Sequence, residues 1–387
     1  EILTEGPGQI RTMITHAGNP VLSTPDGQRL DEALASLDFM VSIDLYINET
    51  TRHADIILPP TGHLEHGQFD PVFHLVAVHN TIKYSPPLFQ PAQDSMHDWQ
   101  ILLELTTRLT SNNAISTLAS RIVRRLVLEL TDEGLIDIAL RTGPYGQGTS
   151  LIRRIDDLLE KLPLGGAVWQ KARDQVIHQL KAIPVLHAAL QSVDTGQPHS
   201  NDHHDLTIKK LLKNPHGIDL GPLRPALPDR LFTANKRLDL VPEIYSEQIA
   251  KLDVSTKAPQ WQMIGLRHLR SNNSWMHNSH RLVKGKPRCK VTLNPEDAGK
   301  LKIKAADAVR ISSRVGEIEL PARISDEIMP GIICVPHGWG HGRKGVELSV
   351  AKEHAGVSVN DVVDPEYYDP LCGMAILNGV PVEVNAA

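Results

Sequence analysis

The sequence predicts an α/β portion with a parallel sheet, then a helical middle segment and a C-terminal β-barrel. Short apolar runs alternate with an amphipathic helix over residues 10 to 110, which is typical of a parallel sheet with crossover connections. Apolar residues recur three to four positions apart over residues 98 to 142, as on the buried face of a helix. From about residue 259, short strand-like runs alternate with tight turns, which indicates a closed barrel. We therefore expect three regions, 1–110, 111–258 and 259–387.

The α/β portion contains three apolar runs that have the composition of strands. The first, Ile10 to Thr15, is followed by a loop and by a helical pattern from Asp31 to Leu37. Phe39 to Ile43 and Asp55 to Pro59 supply the second and third runs. Ligands of parallel sheets bind beyond the carboxyl ends of the strands. The loop after the first run and Asp44 after the second are therefore candidate ligand contacts.

The middle segment starts as helix and later becomes polar. Its helical spacing stops at the turn Gly143 to Gly146. Between Asp194 and Asp205 almost every residue is polar, so this stretch has little to bury and predicts an exposed or mobile loop.

Four strand-like runs and one short helix make up the predicted barrel. Pro295 to Leu301 has the start signals of a helix, because Asn294 can act as its N-cap and proline occupies its first position. Gly316 and the pair Pro330-Gly331 mark turns. The strand-like runs are Val291 to Asn294, Ala308 to Ser313, Glu317 to Ile324 and Gly331 to Val335.

Composition is that of an ordinary globular protein. The 387 residues are enough for two or three domains, and a hydrophobic content of 41% is enough for ordinary cores. A formal net charge of −5 gives no basic field for nucleic acid, and 4% aromatic residues disfavour base stacking. Cys289, Cys334 and Cys372 lie far apart, so we expect neither disulfides nor a thiolate metal cluster, and a reducing, cytoplasmic location. We find no signal peptide or membrane-spanning run, and the start at Glu1 suggests a fragment.

The segment from Gly265 to Asn278 is unusually rich in polar side chains. Arg267 and Arg270 present planar forks that suit phosphate, and its three asparagines can match the edge of a heterocycle. Trp275 offers a stacking face. This combination indicates a large anionic ligand, and the alternative is a polar loop that only caps the barrel.

Two further motifs follow predicted strands. Gly18-Asn19-Pro20 could turn the backbone tightly against a ligand, but the same residue types form ordinary β-turns. Asp44, followed by Asn48-Glu49-Thr50, is similar to the acidic residue that binds ribose in dinucleotide folds. A solvated loop acid or a helix N-cap is the alternative for Asp44.

Two histidine pairs have a spacing that metal ligands use. They are His63 with His66, and His337 with His341. Neither pair has a clear third and fourth ligand, so we predict no metal site, and a zinc hydrolase remains the weakest alternative. The common nucleotide and hydrolase motifs G-x-x-x-x-G-K-[ST] and G-x-S-x-G are absent from the sequence.

In this order, the motifs resemble the C-terminal half of the molybdopterin guanine dinucleotide oxidoreductases, which include formate dehydrogenases, nitrate reductases and dimethyl sulfoxide reductases. The resemblance covers most of the chain outside residues 111 to 210. It implies a Rossmann-like cofactor-binding domain over 1–110, a helical and loop-rich connection over 111–258, and a six-stranded double-psi barrel over 259–387. Besides Arg267 to Asn278, it rests on Gly18 to Pro25, Leu37 to Asp44, Asn48 to Thr50, Ala54 to Pro59 with Glu65, Pro215 to Pro222, Asn294 to Ala298, Pro336 to Gly340 and Val359 to Asp361.

The resemblance also implies a set of cofactor contacts. Residues after the first two strands would lie against a nucleotide portion, the 267–278 loop against pyrophosphate and pterin, and three residues of the barrel region near the pterin. The implied contacts are Gly18, Asn19, Pro20, Asp44, Glu49, Thr50, Arg267, His268, Arg270, Ser271, Asn272, Asn273, Ser274, His277, Asn278, His337, Trp339 and Asn360.

Two expected features of such enzymes are not in this chain. Members commonly carry an N-terminal cysteine cluster for an iron-sulfur centre, and a Cys, selenocysteine or Ser that ligates molybdenum or tungsten. We therefore expect no catalytic residue and no metal ligand here, with a [4Fe-4S] cluster only in a missing N-terminal half. Two molybdopterin guanine dinucleotides carrying Mo or W would be held jointly by the two halves.

The resemblance implies two-electron redox chemistry for the complete enzyme. It would act on a small-molecule substrate, for which formate is a reasonable guess, and pass electrons to a partner subunit or redox protein. The alternative is a non-catalytic assembly module that keeps this fold to bind a partner.

Overall fold

The structure is a computed structural model that describes residues 1–109, 113–143, 145–146, 166–181, 186, 205–223, 225–251 and 260–387. They form two compact units, of which the first combines Glu1–Pro59 with Leu238–Ala387 and the second is Pro60–Arg237. The polar run predicted as a loop between Asp194 and Asp205 lies outside the described residues, apart from Asp205 itself. The predicted region boundaries near residues 110 and 258 stay predictions.

The N-terminal part of the first unit contains the expected parallel sheet. Strands β1 (Thr12–His16), β2 (Phe39–Ile43) and β3 (Ile56–Ile57) lie side by side in that order, and both pairings are parallel. Helices α1 (Pro20–Ser23) and α2 (Gly27–Ala35) connect β1 to β2. Four of the five residues of β2 are buried, as is typical of a strand inside a parallel sheet.

The second unit is mainly helical, which confirms the predicted helical middle segment. Two short antiparallel strand pairs complete it: β4 (Gln68–Phe69) with β6 (Tyr84–Ser85), and β5 (Thr81–Ile82) with β7 (Ile218–Asp219). The helices that its described residues form are α3 (Pro71–Leu75), α4 (Asp98–Leu109), α5 (Ala114–Thr142), α6 (Gly166–Lys181) and α7 (Ile208–Leu212).

The long helix α5 supplies most of the core of the second unit. Its residues Ile122, Val123 and Val127 pack with Val176 and Leu180 of α6. The helix is interrupted at Thr131, where φ is 60° and ψ is 178°. Within the described residues, we find no helix with the length and hydrophobicity that a membrane span requires.

The C-terminal part of the first unit is a closed six-stranded barrel, which confirms the predicted barrel. In chain order its strands are β8 (Trp261–Leu266), β9 (Val291–Leu293), β10 (Ala308–Ser312), β11 (Glu317–Ile324), β12 (Ile332–Pro336) and β13 (Val380–Ala386). Around the barrel the order is β10-β11-β9-β12-β8-β13. The β9–β11 and β8–β12 pairings are parallel, and the other four are antiparallel.

The barrel closes because alternate residues of its strands are apolar and point inward. In β11 the buried positions are Ile318, Leu320 and Ala322, with exposed residues between them. Met263 and Val309 are also fully buried in this core. Among the described residues, four α-helices accompany the barrel: α8 (Glu243–Ala250), α9 (His280–Val283), α10 (Pro295–Leu301) and α11 (Ser349–Glu353).

The barrel loops and the sheet of the first unit are joined by backbone hydrogen bonds. A 3-10 helix, Val359–Val362, lies next to α2. The amide of Asp26, which caps α2, donates to the carbonyls of Asn360 and Val363 at 2.9 and 3.0 Å. Loops from sequence regions more than 300 residues apart therefore meet at one place.

Candidate functional site

A pocket opens where the parallel sheet meets the loop that follows β8. The sequence predicts Gly18, Asn19, Asp44, Ser274 and Asn278 as ligand contacts, and all five line this pocket. Gly18 and Asn19 come directly after β1, and Asp44 directly after β2, so they lie at the carboxyl ends of neighbouring parallel strands. The other lining residues are Leu45, Tyr46, Asn48, Trp275 and Leu348.

Asp44 is the acidic group of this pocket. Its Oδ1 accepts from the amides of Leu45 and Tyr46 at 2.6 and 3.3 Å, and its Oδ2 accepts from Asn48 Nδ2 at 3.2 Å. Burial raises the pKa of Asp44, although these three hydrogen bonds oppose the rise. A carboxylate has about four acceptor positions, so roughly one remains for a hydroxyl of a ligand.

A chain of buried polar side chains runs beside the pocket. Glu49 Oε2 accepts from Asn19 Nδ2 at 2.6 Å, and Glu49 Oε1 lies 2.9 Å from His341 Nδ1. His341 Nε2 lies 2.9 Å from His277 Nδ1, and His277 Nε2 lies 2.8 Å from the hydroxyl of Ser271. The side chains of Glu49 and His341 are fully buried. We call Glu49, His341, His277 and Ser271 the buried relay.

Burial and hydrogen bonding set the charges of the buried relay. Burial disfavours a charged Glu49, but hydrogen bonds with His341 and Asn19 outweigh it and lower the pKa of Glu49. Glu49 is therefore a carboxylate at neutral pH. Burial is the main cause that lowers the pKa of His277 to about 3, and Arg288 acts in the same direction. His277 is therefore neutral.

Three buried polar atoms near this relay have no partner within the described part of the chain: Trp339 Nε1, His268 Nδ1 and Ser358 Oγ. The Trp339 ring stacks on His277 with centroids 3.9 Å apart. Arg288 lies with Cζ 6.0 Å from the centre of the Trp339 ring. Buried donors and acceptors without partners are costly, so these atoms suit a ligand that supplies hydrogen bonds.

The surface around the 267–278 loop is electropositive. Arg267 and Arg270 are exposed, and neither forms an ion pair with a carboxylate among the residues that the structure describes. Burial and then the charges of Arg288 and Arg323 lower the pKa of His268. Burial and then the charge of Arg267 lower the pKa of His337 to about 4. Neutral histidines beside Arg267 and Arg270, which have no carboxylate partner among the described residues, favour an anionic ligand.

The backbone of the 267–278 loop is held against the loop that begins at His337. Asn272 and Asn273 have φ angles of 44° and 57°, which asparagine tolerates better than most residues. Gly338 has a φ of 91°, and a Cβ there would clash with the carbonyl oxygen of Asn273. Arg267 Nη1 also donates to Asn273 Oδ1. The two loops therefore pack backbone to backbone.

Several predicted contacts have protein partners in the structure. Asn278 Oδ1 accepts from the amides of Val350 and Ala351 at 2.9 and 3.2 Å, at the start of α11. Asn360 is buried, and its Nδ2 donates to the Leu22 carbonyl at 2.7 Å. Thr50, Glu49, Ser271 and His277 are buried as well. Cofactor contact by any of these residues stays a prediction.

The histidine pairs do not form metal sites in the described residues. No group of three or more His, Cys, Asp or Glu side chains there has an arrangement that could hold a metal ion. The partners of His341 lie on opposite nitrogens of its ring, so Glu49 and His277 do not converge on one point. His66 stacks edge-on against His97 at 6.0 Å.

A second polar cluster, centred on Asp31 of α2, lies in the same unit. Arg52 Nη2 lies 2.5 Å from both carboxylate oxygens of Asp31, and His53 Nε2 lies 2.6 Å from Oδ1. Arg343 bridges Asp31 Oδ2 at 3.4 Å and Asp361 Oδ1 at 2.8 Å. The cluster joins the sheet side of the site to the barrel loops.

Sequence patterns give no indication of several residues around the site. Leu45 and Tyr46 line the pocket simply because they follow Asp44. Arg288 and the hydrogen-bonding role of His341 depend on tertiary contacts. His341 is 292 residues from Glu49, so only its spacing from His337 attracts attention in the sequence.

Two family models match the chain. The model described as "Molybdopterin oxidoreductase" matches residues 4–108, which include the parallel sheet. The model described as "Molydopterin dinucleotide binding domain" matches residues 262–381, which include most of the barrel.

Curated relatives match over much of the chain. A tetrathionate reductase of Salmonella typhimurium is 23% identical over 100% of this chain and 40% of its own length. A formate dehydrogenase of Methanocaldococcus jannaschii is 22% identical over 91% of this chain and 42% of its own. The assimilatory nitrate reductase of Bacillus subtilis is 30% identical over 34% and 18%. The chain thus spans about two fifths or less of the length of these relatives.

A solved structure supports the fold. Acetylene hydratase from Pelobacter acetylenicus superposes with a TM-score of 0.52 and 16% sequence identity. The match covers 100% of this chain and 45% of that chain. At this identity it is evidence for the architecture alone.

Proposed function

The chain belongs to the molybdopterin oxidoreductase family, and we propose that it binds the dinucleotide arms of a molybdopterin guanine dinucleotide cofactor. One observation carries this proposal: the predicted contacts Gly18, Asn19 and Asp44 line one pocket with Ser274 and Asn278, beside a surface of uncompensated arginines. A nucleotide next to a pyrophosphate requires such a combination.

Each part of the site matches a chemical group of the cofactor. Asp44 has an acceptor position for a ribose hydroxyl, and Trp275, with 55% of its surface exposed at the pocket, can stack on a guanine base. Arg267 and Arg270 supply charge-assisted donors for pyrophosphate. The unpartnered Trp339 Nε1 and His268 Nδ1 suit the fixed donor and acceptor edge of a pterin.

The complete protein, in this proposal, carries two such dinucleotides around molybdenum or tungsten. The metal, when bound, would supply two-electron redox chemistry, and a [4Fe-4S] cluster elsewhere in the complete protein would exchange the electrons with it. The residues of this chain bind and orient the cofactor, and they exclude water from the buried relay.

The substrate and partners follow from the same proposal. Three relatives are named for tetrathionate reduction, formate oxidation and nitrate reduction, so fold-level likeness leaves the substrate class open. We propose formate as the substrate of the complete protein. Several relatives are named as subunits, which supports an electron-transfer partner subunit or redox protein for this chain. Three unpaired cysteines support a reducing compartment such as the cytoplasm.

Cofactor retention tests the proposal. The protein is expressed from its complete coding sequence in a host that makes the dinucleotide, and the pterin and guanine nucleotide released on denaturation are counted. We expect Arg267→Ala and Arg270→Ala each to lower retention about tenfold or more, because each removes a charge-assisted hydrogen bond to phosphate. Arg281→Ala, which removes an exposed arginine of α9, is the matched control.

Metal analysis separates this proposal from the assembly-module alternative, which relatives named as reductases and dehydrogenases do not favour. Molybdenum or tungsten that co-purifies with the pterin would support the proposal that the complete protein is an enzyme. A wild-type protein with neither metal nor pterin, or arginine variants that retain cofactor as well as Arg281→Ala does, would refute it.

A further inference from the structure

We propose that Glu49 and His341 are positioning residues: they fix the tautomer of His277 and, through His277 and Ser271, hold the 267–278 loop in the shape that binds its ligand. The tautomers of His341 and His277 are the first half of this inference and depend only on contacts inside the protein. The role of the 267–278 loop in ligand binding is the second half and rests on the proposed function.

The Glu49 carboxylate sets the direction of hydrogen bonding because both of its oxygens accept. Its Oε2 accepts from Asn19 Nδ2 at 2.6 Å. The side-chain amide of Asn19 cannot flip, because its Oδ1 accepts from Thr50 Oγ1 at 2.8 Å. Thr50 Oγ1 in turn accepts from the backbone amide of Val21 at 3.2 Å, so its own proton is directed at Asn19. Glu49 Oε1 therefore accepts from His341 Nδ1, and the ring proton of His341 lies on Nδ1.

If each ring carries one proton, a single pattern of donors and acceptors remains for the rest of the relay. His341 Nε2 has no proton, so it accepts from His277 Nδ1. His277 Nε2 is bare in turn and accepts from the Ser271 hydroxyl. Every donor points toward Glu49. A second proton on His341 would reverse the His277 to Ser271 half, because His277 Nδ1 would then have to accept.

The relay ends on the two anchors of the 267–278 loop. Ser271 is 2% exposed and His277 is fully buried, whereas Asn272 and Asn273 between them are exposed. The amide of Met276 also donates to the Ser271 carbonyl at 3.1 Å, which closes the loop on itself. Because the exposed part of the loop is carried between two buried side chains, the orientation of the relay determines where its polar groups point.

Glu49→Gln is nearly isosteric and reverses the direction of the hydrogen bonds along the buried relay. The glutamine oxygen must accept from Asn19, so its amide nitrogen faces His341 Nδ1 and donates to it. His341 and His277 must then both move their ring protons from Nδ1 to Nε2. The same substitution at Glu347, an exposed carboxylate of the 341–348 segment, leaves the relay intact and is the matched control.

NMR of the full chain labelled with ¹⁵N-histidine reads both tautomers directly, and His277→Asn and His341→Gln identify the two sets of signals. We expect Nδ1–H on both rings at pH 7.5 in the wild type and in Glu347→Gln, and Nε2–H on both in Glu49→Gln. The wild-type spectrum is decisive even if a variant folds poorly. A doubly protonated His341, an Nε2–H wild type, or unchanged tautomers in Glu49→Gln would overturn the first half.

Pterin retention in the protein expressed from its complete coding sequence tests the second half. We expect Glu49→Gln to retain about tenfold less than Glu347→Gln, on the scale of one lost hydrogen bond. Equal retention with reversed tautomers would overturn the positioning role. A wild type without pterin would remove the proposed function and this second half with it, while the NMR result would still decide the first.

Discussion

Asp31→Asn tests whether the Asp31 cluster holds the two sides of the site together. The aspartate faces Arg52, His53 and Arg343, and its side chain is 19% exposed, with both arginines 17% exposed. Burial opposes ionisation of Asp31, but its hydrogen bonds with His53 and Arg52 and the charges of both arginines lower its pKa. The variant removes the negative charge that these three basic groups share while keeping the shape of the side chain.

The magnitude follows from this burial. Removing one partner of a fully buried ion pair costs about 3–5 kcal/mol, whereas exposed pairs contribute about 0–1 kcal/mol. The cluster keeps some solvent contact and asparagine keeps one oxygen, so we expect a loss of about 2–3 kcal/mol. With a urea slope of about 2 kcal/mol per molar, the midpoint of the first unit should fall by about 1–1.5 M.

Urea unfolding, with the transitions of the two units fitted separately, measures the loss. Asp38→Asn is the matched control because Asp38 pairs with Arg11 on the surface, where the side chains are 54% and 67% exposed. It should shift the midpoint by less than about 0.5 M. Equal shifts for Asp31→Asn and Asp38→Asn would refute the reasoning.

The pH dependence of the same difference has a definite sign. A carboxyl whose pKa is lowered by folding contributes stability above its ordinary value of 3.8, and that stability is lost as the pH falls through the lower folded value. The gap between wild type and Asp31→Asn should therefore be constant at neutral pH and narrow below about pH 4. A gap that widens on acidification would contradict this assignment.

Three further outcomes are expected. Gly338→Ala should destabilise the first unit by about 1–3 kcal/mol in urea unfolding, because the new Cβ meets the Asn273 carbonyl at a positive φ, and Gly373→Ala, in open space at a φ of 71°, isolates the contact from backbone strain. His277 should stay neutral from pH 8 to 5 in ¹⁵N-histidine NMR, since its pKa is near 3. The free energy of unfolding should fall as the pH drops below about 6.5, because only the unfolded chain then binds a proton at this histidine. A ring that titrates near 6.5 in the folded protein would contradict the burial argument. Asn278→Ala should cost about 1 kcal/mol in urea unfolding through loss of the cap on α11, and a loss below about 0.3 kcal/mol would rule out the cap.

Periodicity accounts for the elements that the sequence predicts well. The alternating run Glu317–Ile324 and the helix Pro295–Leu301 have the predicted bounds, as does Phe39–Ile43. β8 and β13 have weaker patterns, because Gly265 interrupts the first and Pro381 lies inside the second. A proline makes an alternating run a weaker strand candidate, although the barrel accommodates Pro381 within β13.

The residues of the candidate site also fall into a group that the sequence predicts and a group that it does not. Gly18, Asn19 and Asp44 are predictable because topology alone brings the ends of parallel strands together. The partnership of Glu49 with His341 is not, since no local pattern specifies which of the 19 histidines will meet a given carboxylate. Polar partners chosen by tertiary packing have no periodic signature in the chain.

The separation between Glu49 and His341 also orders events during synthesis. Glu49 leaves the ribosome 292 residues before its partner, and the whole second unit, Pro60–Arg237, is made in between. At about 5–20 residues per second, this interval is roughly 15–60 s. Throughout it, the nascent sheet carries a carboxylate whose imidazole partner has not yet been translated. The site can therefore be completed only after His341 has been made, and any ligand that needs both sides must bind after that point.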